Sequence, residues 1–165
     1  MFELKPLSEG AIPAALEKAM RYRLLNEPVE AESICRDVLR TDPDNQQALI
    51  TLVLALTDQF GRSHGAGLGQ AKELVPRLHD KHDQAYYSGI ILERRGKALL
   101  QQGGHGSGFE VYGCLREAMT WFEEAEAMRP AGNDSALLRW NACARIIMRH
   151  KLVARPEEKV EMQLE

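Results

Sequence analysis

The chain has 165 residues, of which 44% are hydrophobic and 27% charged, and its formal net charge is −3. These values are typical of one globular domain with its own core, and they argue against a nucleic-acid binder, which usually carries a basic excess. No stretch approaches the ~20 apolar residues that cross a membrane, and the N-terminus does not resemble a secretion signal, so we expect a cytoplasmic protein that binds neither nucleic acid nor a membrane.

Helical periodicity dominates the chain, and no long segment alternates apolar and polar residues as a strand does. The pattern predicts helices over residues 13–27, 29–41, 45–60, 70–82, 84–102, 113–129 and 134–151. We expect these helices to form one domain over residues 12–151. An extension at residues 1–11 precedes it, and a flexible acidic tail at residues 152–165 follows it.

Turn residues separate the predicted helices. Pro28 suits the first turn of the second helix. Side-chain caps are expected before the later helices because short polar side chains accept hydrogen bonds from free backbone N–H groups. The candidate caps are Asp44 or Asn45 for the third helix, Asp83 for the fifth, and Asn133 or Asp134 for the seventh.

One pattern recurs in the second helix of each predicted hairpin. The segments "EAESICRDVLRTDP" (30–43) and "EAMTWFEEAEAMRP" (117–130) both begin with Glu-Ala and end with proline. A third segment, "QAKELVPRLHDKHD" (70–83), keeps the alanine and has Asp83 in place of the proline. A small residue followed four residues later by a larger one lets two helices approach closely. The pairs are Ala31 with Cys35, Ala71 with Val75, and Ala118 with Phe122.

These segments resemble the second helix of the tetratricopeptide repeat. The resemblance implies an all-α fold, namely a short right-handed α-solenoid of about three helical hairpins with a C-terminal capping helix. It also implies a concave groove lined by the first helix of each hairpin. In this register the groove residues are Met20, Arg23, Thr51, Leu54, Asp58, Arg94, Lys97, Arg139 and Arg145.

The groove residues combine an apolar floor with a basic end. Such a surface suits a protein or peptide with acidic side chains, since arginine can bind a carboxylate through two hydrogen bonds. We therefore expect a non-catalytic protein–protein interaction module or scaffold without a cofactor. Two alternatives stay open: these charges are only the solvated side of a helix, or exposed apolar edges pair two copies as a homo-oligomer.

Two glycine-rich inserts, "GRSHGAGLGQ" (61–70) and "GGHGSGFEVYG" (103–113), lengthen the predicted hairpin turns. Their histidines, His64 and His105, would lie on the same edge of a stacked solenoid. One interpretation is a pair of loops that bind an anion or a metal, with an enzyme as the extreme case. The simpler interpretation is two enlarged, chemically inactive turns.

Other reactive residue types give weaker signals. His79 and His82 have the spacing of some metal ligands, but histidine is also favoured at a helix C-terminus. No serine has the context of a nucleophile, so we expect no catalytic residue and no metal. Cys35, Cys114 and Cys143 are too far apart for a disulfide framework, and we expect them to be buried and reduced.

Overall fold

The computed structural model describes residues 1–62 and 66–157, and this part of the chain contains helices and no β-strand. Its α-helices are α1 (Ile12–Leu24), α2 (Pro28–Thr41), α3 (Gln46–Thr57), α4 (Ala66–Leu74), α5 (Lys81–Gln102), α6 (Ser107–Ala127) and α7 (Ser135–His150). Short 3-10 turns precede α1 at Glu9–Ala11 and follow α4 at Val75–Arg77. All seven predicted helices, and the all-α class of the described residues, are therefore confirmed.

Each helix packs on the next along the chain, and α3 also contacts both α1 and α5. The odd-numbered helices α1, α3 and α5 therefore lie side by side. The alanines of the recurring pattern are fully buried, as are the larger residues Cys35 and Phe122. The predicted close approach of helices at Ala31, Ala71 and Ala118 agrees with this burial.

Among the described helices, α5 and α6 make the most extensive contact with each other. Gly89 and Gly96 lie on the side of α5 that faces α6. A Cβ atom at Gly89 would come within 2.5 Å of the Phe122 ring, and one at Gly96 within 3.2 Å of Leu115. The absence of a side chain at these two positions therefore allows the close packing.

The glycine-rich inserts differ from the prediction because both contribute to helices. Helix α4 begins at Ala66 rather than at residue 70, and α6 begins at Ser107 rather than at residue 113. Only residues 103–106 separate α5 from α6, and three glycines there have positive φ angles of 67°, 117° and 76°. Glycine is favoured in this backbone region, so the second insert is a short turn with an added helical segment.

Hydrogen bonds from backbone N–H groups to side chains identify which of the candidate residues act at the helix N-termini. Asn45 Oδ1 accepts a hydrogen bond from the Ala48 N–H at 2.9 Å, and Asn133 Oδ1 accepts one from the Ser135 N–H at 3.1 Å. The prediction for Asp83 is wrong, because α5 begins at Lys81, three residues earlier than a cap at Asp83 requires. Asp80 precedes Lys81, and its Oδ1 accepts from the N–H groups of His82 and Asp83.

Contacts between turns tie neighbouring hairpins together at two edges. At one edge the Arg77 guanidinium donates to the Pro43 carbonyl oxygen at 2.7 Å, and His79 Nε2 lies 2.9 Å from Asp44 Oδ1. At the other edge, Arg62 Nη2 donates to Asn26 Oδ1 at 2.6 Å. Equivalent turns of the first two hairpins are therefore neighbours in space.

Candidate functional site

The first charged cluster of the candidate site surrounds Asp58, the residue that directly follows α3. Arg23 Nε donates to Asp58 Oδ2 at 2.8 Å, and Arg94 Nη1 donates to Asp58 Oδ1 at 3.2 Å. The three residues come from α3, α1 and α5, so the cluster spans the adjacent odd-numbered helices. The Asp58 side chain is 18% exposed, and water reaches this carboxylate.

Helical spacing brings further groove residues to the same surface. Met20 lies three residues before Arg23, and Thr51 Oγ1 contacts Met20 Sδ at 3.8 Å. Leu54 is half-buried and packs against the hydrophobic core that α5, α6 and α7 share. The side chains from α1 and α3 thus form a partly apolar floor beside the Asp58 cluster.

A second cluster surrounds Glu93, whose side chain is fully buried. Arg139 Nη2 from α7 lies 3.1 Å from Glu93 Oε2, and Lys97 Nζ lies 3.6 Å from the same atom. The Cys143 thiol donates to Glu93 Oε1 at 3.7 Å. Glu93 therefore joins α5 to α7 from inside the protein.

The burial of Glu93 was not predicted from the sequence. The available signal was its spacing: Gly89, Glu93 and Gly96 recur at four and three residues. Such spacing places all three on one face of α5, which is the face that packs against α6. A charged residue between two packing glycines was thus an indication of a buried ion pair.

The pKa values of Cys35 and Cys143 are raised to about 12, chiefly by burial, and the Glu93 carboxylate contributes to the rise at Cys143. Both thiols are buried and free, as predicted. Cys114 is only partly buried, in contrast to the prediction, and lies near Arg95 and Glu110. Its pKa is also raised, chiefly by burial. Raised pKa values disfavour the thiolate, which is the nucleophilic form.

A cavity of about 450 Å³ opens between α1, α3 and α5 beside Asp58. We call it the basic pocket, because four cationic side chains and one carboxylate line it: Arg23, Arg62, Arg94, Lys97 and Asp58. Arg62 was not among the predicted groove residues. Arg62 lies in the turn after α3. Its hydrogen bond to Asn26, a residue distant in the sequence, holds it beside this pocket.

Two predicted residues, Arg145 and His105, lie outside these clusters. Arg145 is exposed, and its position six residues after Arg139 places it about 120° around α7. His105 is exposed in the turn between α5 and α6. His64 lies outside the described residues, so its proximity to His105 stays a prediction.

The histidines near the start of α5 have separate surroundings. His79 is exposed beside Asp44, whereas His82 is buried and stacks on Tyr86. Asp80, His82 and Asp83 each offer a ligand atom within 4.8 Å of the others. Capping accounts for this grouping, since Asp80 Oδ1 already accepts two backbone N–H groups.

No protein-family model, curated protein or solved structure matches this chain. The likeness to the tetratricopeptide repeat therefore rests on the recurring residues themselves. Among the residues that the structure describes, no helix combines the length and apolar character of a membrane span.

Proposed function

We propose that the chain is a non-catalytic protein–protein interaction module built as a short tetratricopeptide-like solenoid, with α7 as its capping helix. The side-by-side arrangement of α1, α3 and α5 supports this proposal, as does the burial of the three pattern alanines. In such an architecture the odd-numbered helices present one continuous groove, and a preformed groove lowers the ordering cost of binding.

One observation carries the choice of partner: two cations share each carboxylate of the groove. Asp58 is shared by Arg23 and Arg94, and Glu93 by Lys97 and Arg139. Each cluster therefore has a net positive charge, because two cations face one carboxylate. Arg62 adds a cation whose contact, Asn26, is neutral. A groove with this excess inside a chain of net charge −3 favours a partner segment with Asp or Glu side chains.

The basic pocket is the part of the groove best suited to such side chains. Arg94 and Lys97 project into it from α5, and Arg23 and Arg62 line it from the neighbouring elements. These side chains are partly exposed, so a partner can reach their N–H groups without unfolding the site. We expect the partner to bind as an extended segment or a helix whose acidic residues enter this pocket.

Selection of peptides from a random dodecapeptide library displayed on phage tests this proposal. We expect enriched peptides to be rich in Asp and Glu, and we expect Arg94→Gln/Lys97→Gln to weaken their binding at least tenfold. Arg95→Gln is the matched control, because Arg95 lies on the same helix but pairs with Glu110 on another face. Neutral or basic peptides, or equal binding by the double variant, would contradict the proposed groove.

A further inference from the structure

Exposed apolar side chains cluster at the turn between α1 and α2, beside the basic pocket. Leu24 is 83% exposed, Leu25 is 62% exposed and Val29 is 61% exposed. Leu24 is also one of the residues that line the basic pocket. Single exposed apolar residues are common on protein surfaces, but three within six residues, at the edge of a charged cavity, indicate an interaction site. We call these three residues the apolar rim.

The exposure of Leu24 is a fixed property of the turn, because a capping motif holds the end of α1. The Asn26 N–H donates to the Arg23 carbonyl oxygen at 3.0 Å. The Glu27 N–H donates to the Tyr22 carbonyl oxygen at 2.9 Å. These two bonds form a Schellman motif, in which Asn26 takes the left-handed position with a φ angle of 60°. Leu24 therefore belongs to a complete last turn of helix and not to a frayed end.

The same turn is joined to the basic pocket. Asn26 Oδ1 accepts from Arg62 Nη2 at 2.6 Å, and both residues line the pocket together with Leu24. Arg23 directly precedes Leu24 in α1 and donates to Asp58 on the opposite side of the pocket mouth from the turn. The exposed leucine is thus held in place beside the cations that would bind a carboxylate.

We propose that the partner segment carries a large apolar side chain that packs on Leu24 while a neighbouring Asp or Glu enters the basic pocket. This inference rests on the proposed function and defines its partner more closely. In an extended segment each residue advances about 3.3 Å, so residues up to three positions apart lie within about 10 Å. A cavity of about 450 Å³ with both Leu24 and cations in its wall can contact two such residues at once. The apolar and acidic residues of the partner are therefore separated by no more than three positions.

Charge and apolar contact make separate contributions to this binding. The cations of the pocket attract acidic segments of any sequence. The contact with Leu24 removes apolar surface of both partners from water, which stabilises the complex in proportion to the area covered. Since only some acidic segments carry a large apolar side chain at the required spacing, Leu24 selects among the segments that the cations attract.

Selection from the phage-displayed dodecapeptide library, carried out in parallel with Leu24→Ser, tests the inference. Peptides enriched by the unmodified chain should carry Leu, Ile, Met or Phe within three positions of an acidic residue. Peptides enriched by Leu24→Ser should remain acidic and lose this apolar residue. Leu138→Ser is the matched control, because it removes an exposed helical leucine from α7, outside the basic pocket. Thermal unfolding followed by circular dichroism checks that both variants fold.

A double-mutant cycle on one enriched peptide measures the contact itself, with fluorescence anisotropy of the labelled peptide as the readout. Leu24→Ser should weaken binding about tenfold, and replacement of the peptide's apolar residue by serine should do the same. The two losses should not add, because both changes remove one contact. Replacement of the peptide's acidic residue by its amide should add to the loss from Leu24→Ser, because that residue contacts the cations instead.

The outcomes distinguish failure of this inference from failure of the proposed function. Acidic peptides without an apolar preference, or additive losses in the cycle, would overturn the contact with Leu24 and leave the acidic partner supported. Neutral or basic peptides would contradict the proposed function, and this inference would fail with it. Sedimentation equilibrium adds a further outcome. A mass that rises with concentration, and that Leu24→Ser holds at 18.5 kDa, would show that a second copy covers Leu24 and would overturn the inference.

Discussion

Asp58 and Glu93 are each shared by two cations, yet their surroundings differ. Asp58 directly follows α3, and its side chain is 18% exposed beside the basic pocket. Glu93 lies in the middle of α5, on the face with the packing glycines, and its side chain is 0% exposed. Position along the helix therefore decides whether a carboxylate stays in contact with water.

This difference assigns separate tasks to the two clusters. Removing a carboxylate from water costs several kcal/mol, and its partners must offset that cost with close contacts. Glu93 is thus committed to holding α5 and α7 together. Asp58 can be solvated when its arginines turn away, so Arg23 and Arg94 are available to another carboxylate. The Asp58 cluster is suited to exchange of partners, whereas the Glu93 cluster is suited to structure.

Replacing Arg139 should have the largest effect on stability. Arg139→Ala leaves Glu93 buried with Lys97 as its remaining cation, at the longer distance of 3.6 Å. We expect the free energy of unfolding to fall by about 3–5 kcal/mol, as for other buried pairs that lose one partner. Chemical denaturation followed by circular dichroism measures this loss.

A second substitution separates loss of the ion pair from loss of packing. In the Arg139→Ala background, Glu93→Gln removes the unpaired charge and should recover a large part of the lost stability. If the double variant is no more stable than Arg139→Ala alone, the charge of Glu93 is not the source of the loss.

Gly89→Ala should have the next largest effect, because it acts on the close packing that encloses Glu93. The new methyl group would meet the Phe122 ring at 2.5 Å, and Phe122 is fully buried and cannot move aside. We expect a loss of about 2 kcal/mol, since overpacking outweighs the gain in helix propensity. Gly113→Ala is the control: it lies in α6 with open space around it and should stabilise the protein slightly.

Arg23→Ala should lower the free energy of unfolding less than Arg139→Ala does. It therefore tests the difference between the Asp58 and Glu93 clusters directly. Asp58 keeps Arg94 and remains in contact with water. We expect a loss of about 1 kcal/mol in the free energy of unfolding, typical of a partly exposed ion pair. Equal losses for Arg23→Ala and Arg139→Ala would contradict the distinction between the two clusters.

The two buried thiols give a local effect that appears only at alkaline pH. Burial raises the pKa of both Cys35 and Cys143 to about 12, so the neutral thiol is the folded form. The unfolded thiols lose their protons near pH 9, at their ordinary pKa. The resulting stabilisation is complete below pH 9 and is lost between pH 9 and about 12.

Of these two thiols, that of Cys143 contacts Glu93 and that of Cys35 does not. A substitution of Glu93 should therefore change one pKa and not the other. Glu93→Gln should lower the pKa of Cys143, because it removes a neighbouring negative charge, and should leave that of Cys35 unchanged. Cβ chemical shifts of ¹³C-labelled cysteine, followed with pH, measure both groups in one sample. A shift of both pKa values together would indicate general loosening of the core.

The helices and their packing faces could be predicted because their signals are local. Each apolar stripe repeats within a few residues, and the alanine pattern places Ala31, Ala71 and Ala118 at buried positions. The ends of helices were harder to predict. Glycines suggested a long turn before α6, but seven residues of that insert, 107–113, continue the helix because packing on α5 outweighs their low propensity.

The candidate site depends on contacts between distant residues, and the sequence indicated only part of it. The sequence register grouped Met20 with Arg23 and Thr51 with Asp58 as groove residues, and that grouping stays a prediction. No local pattern indicates that Arg23 and Arg94 share one carboxylate across 71 residues of chain. The same limitation explains why Arg62 was missed.

The short turn between α5 and α6 also has a consequence for folding kinetics. The two longest helices are joined by only four residues, so their pairing closes a small loop and costs little chain entropy. Their contacts are close in sequence, whereas those between α1, α3 and α5 are not. We therefore expect the α5–α6 hairpin to be formed in the folding transition state, with α1 and α2 joining the molecule later.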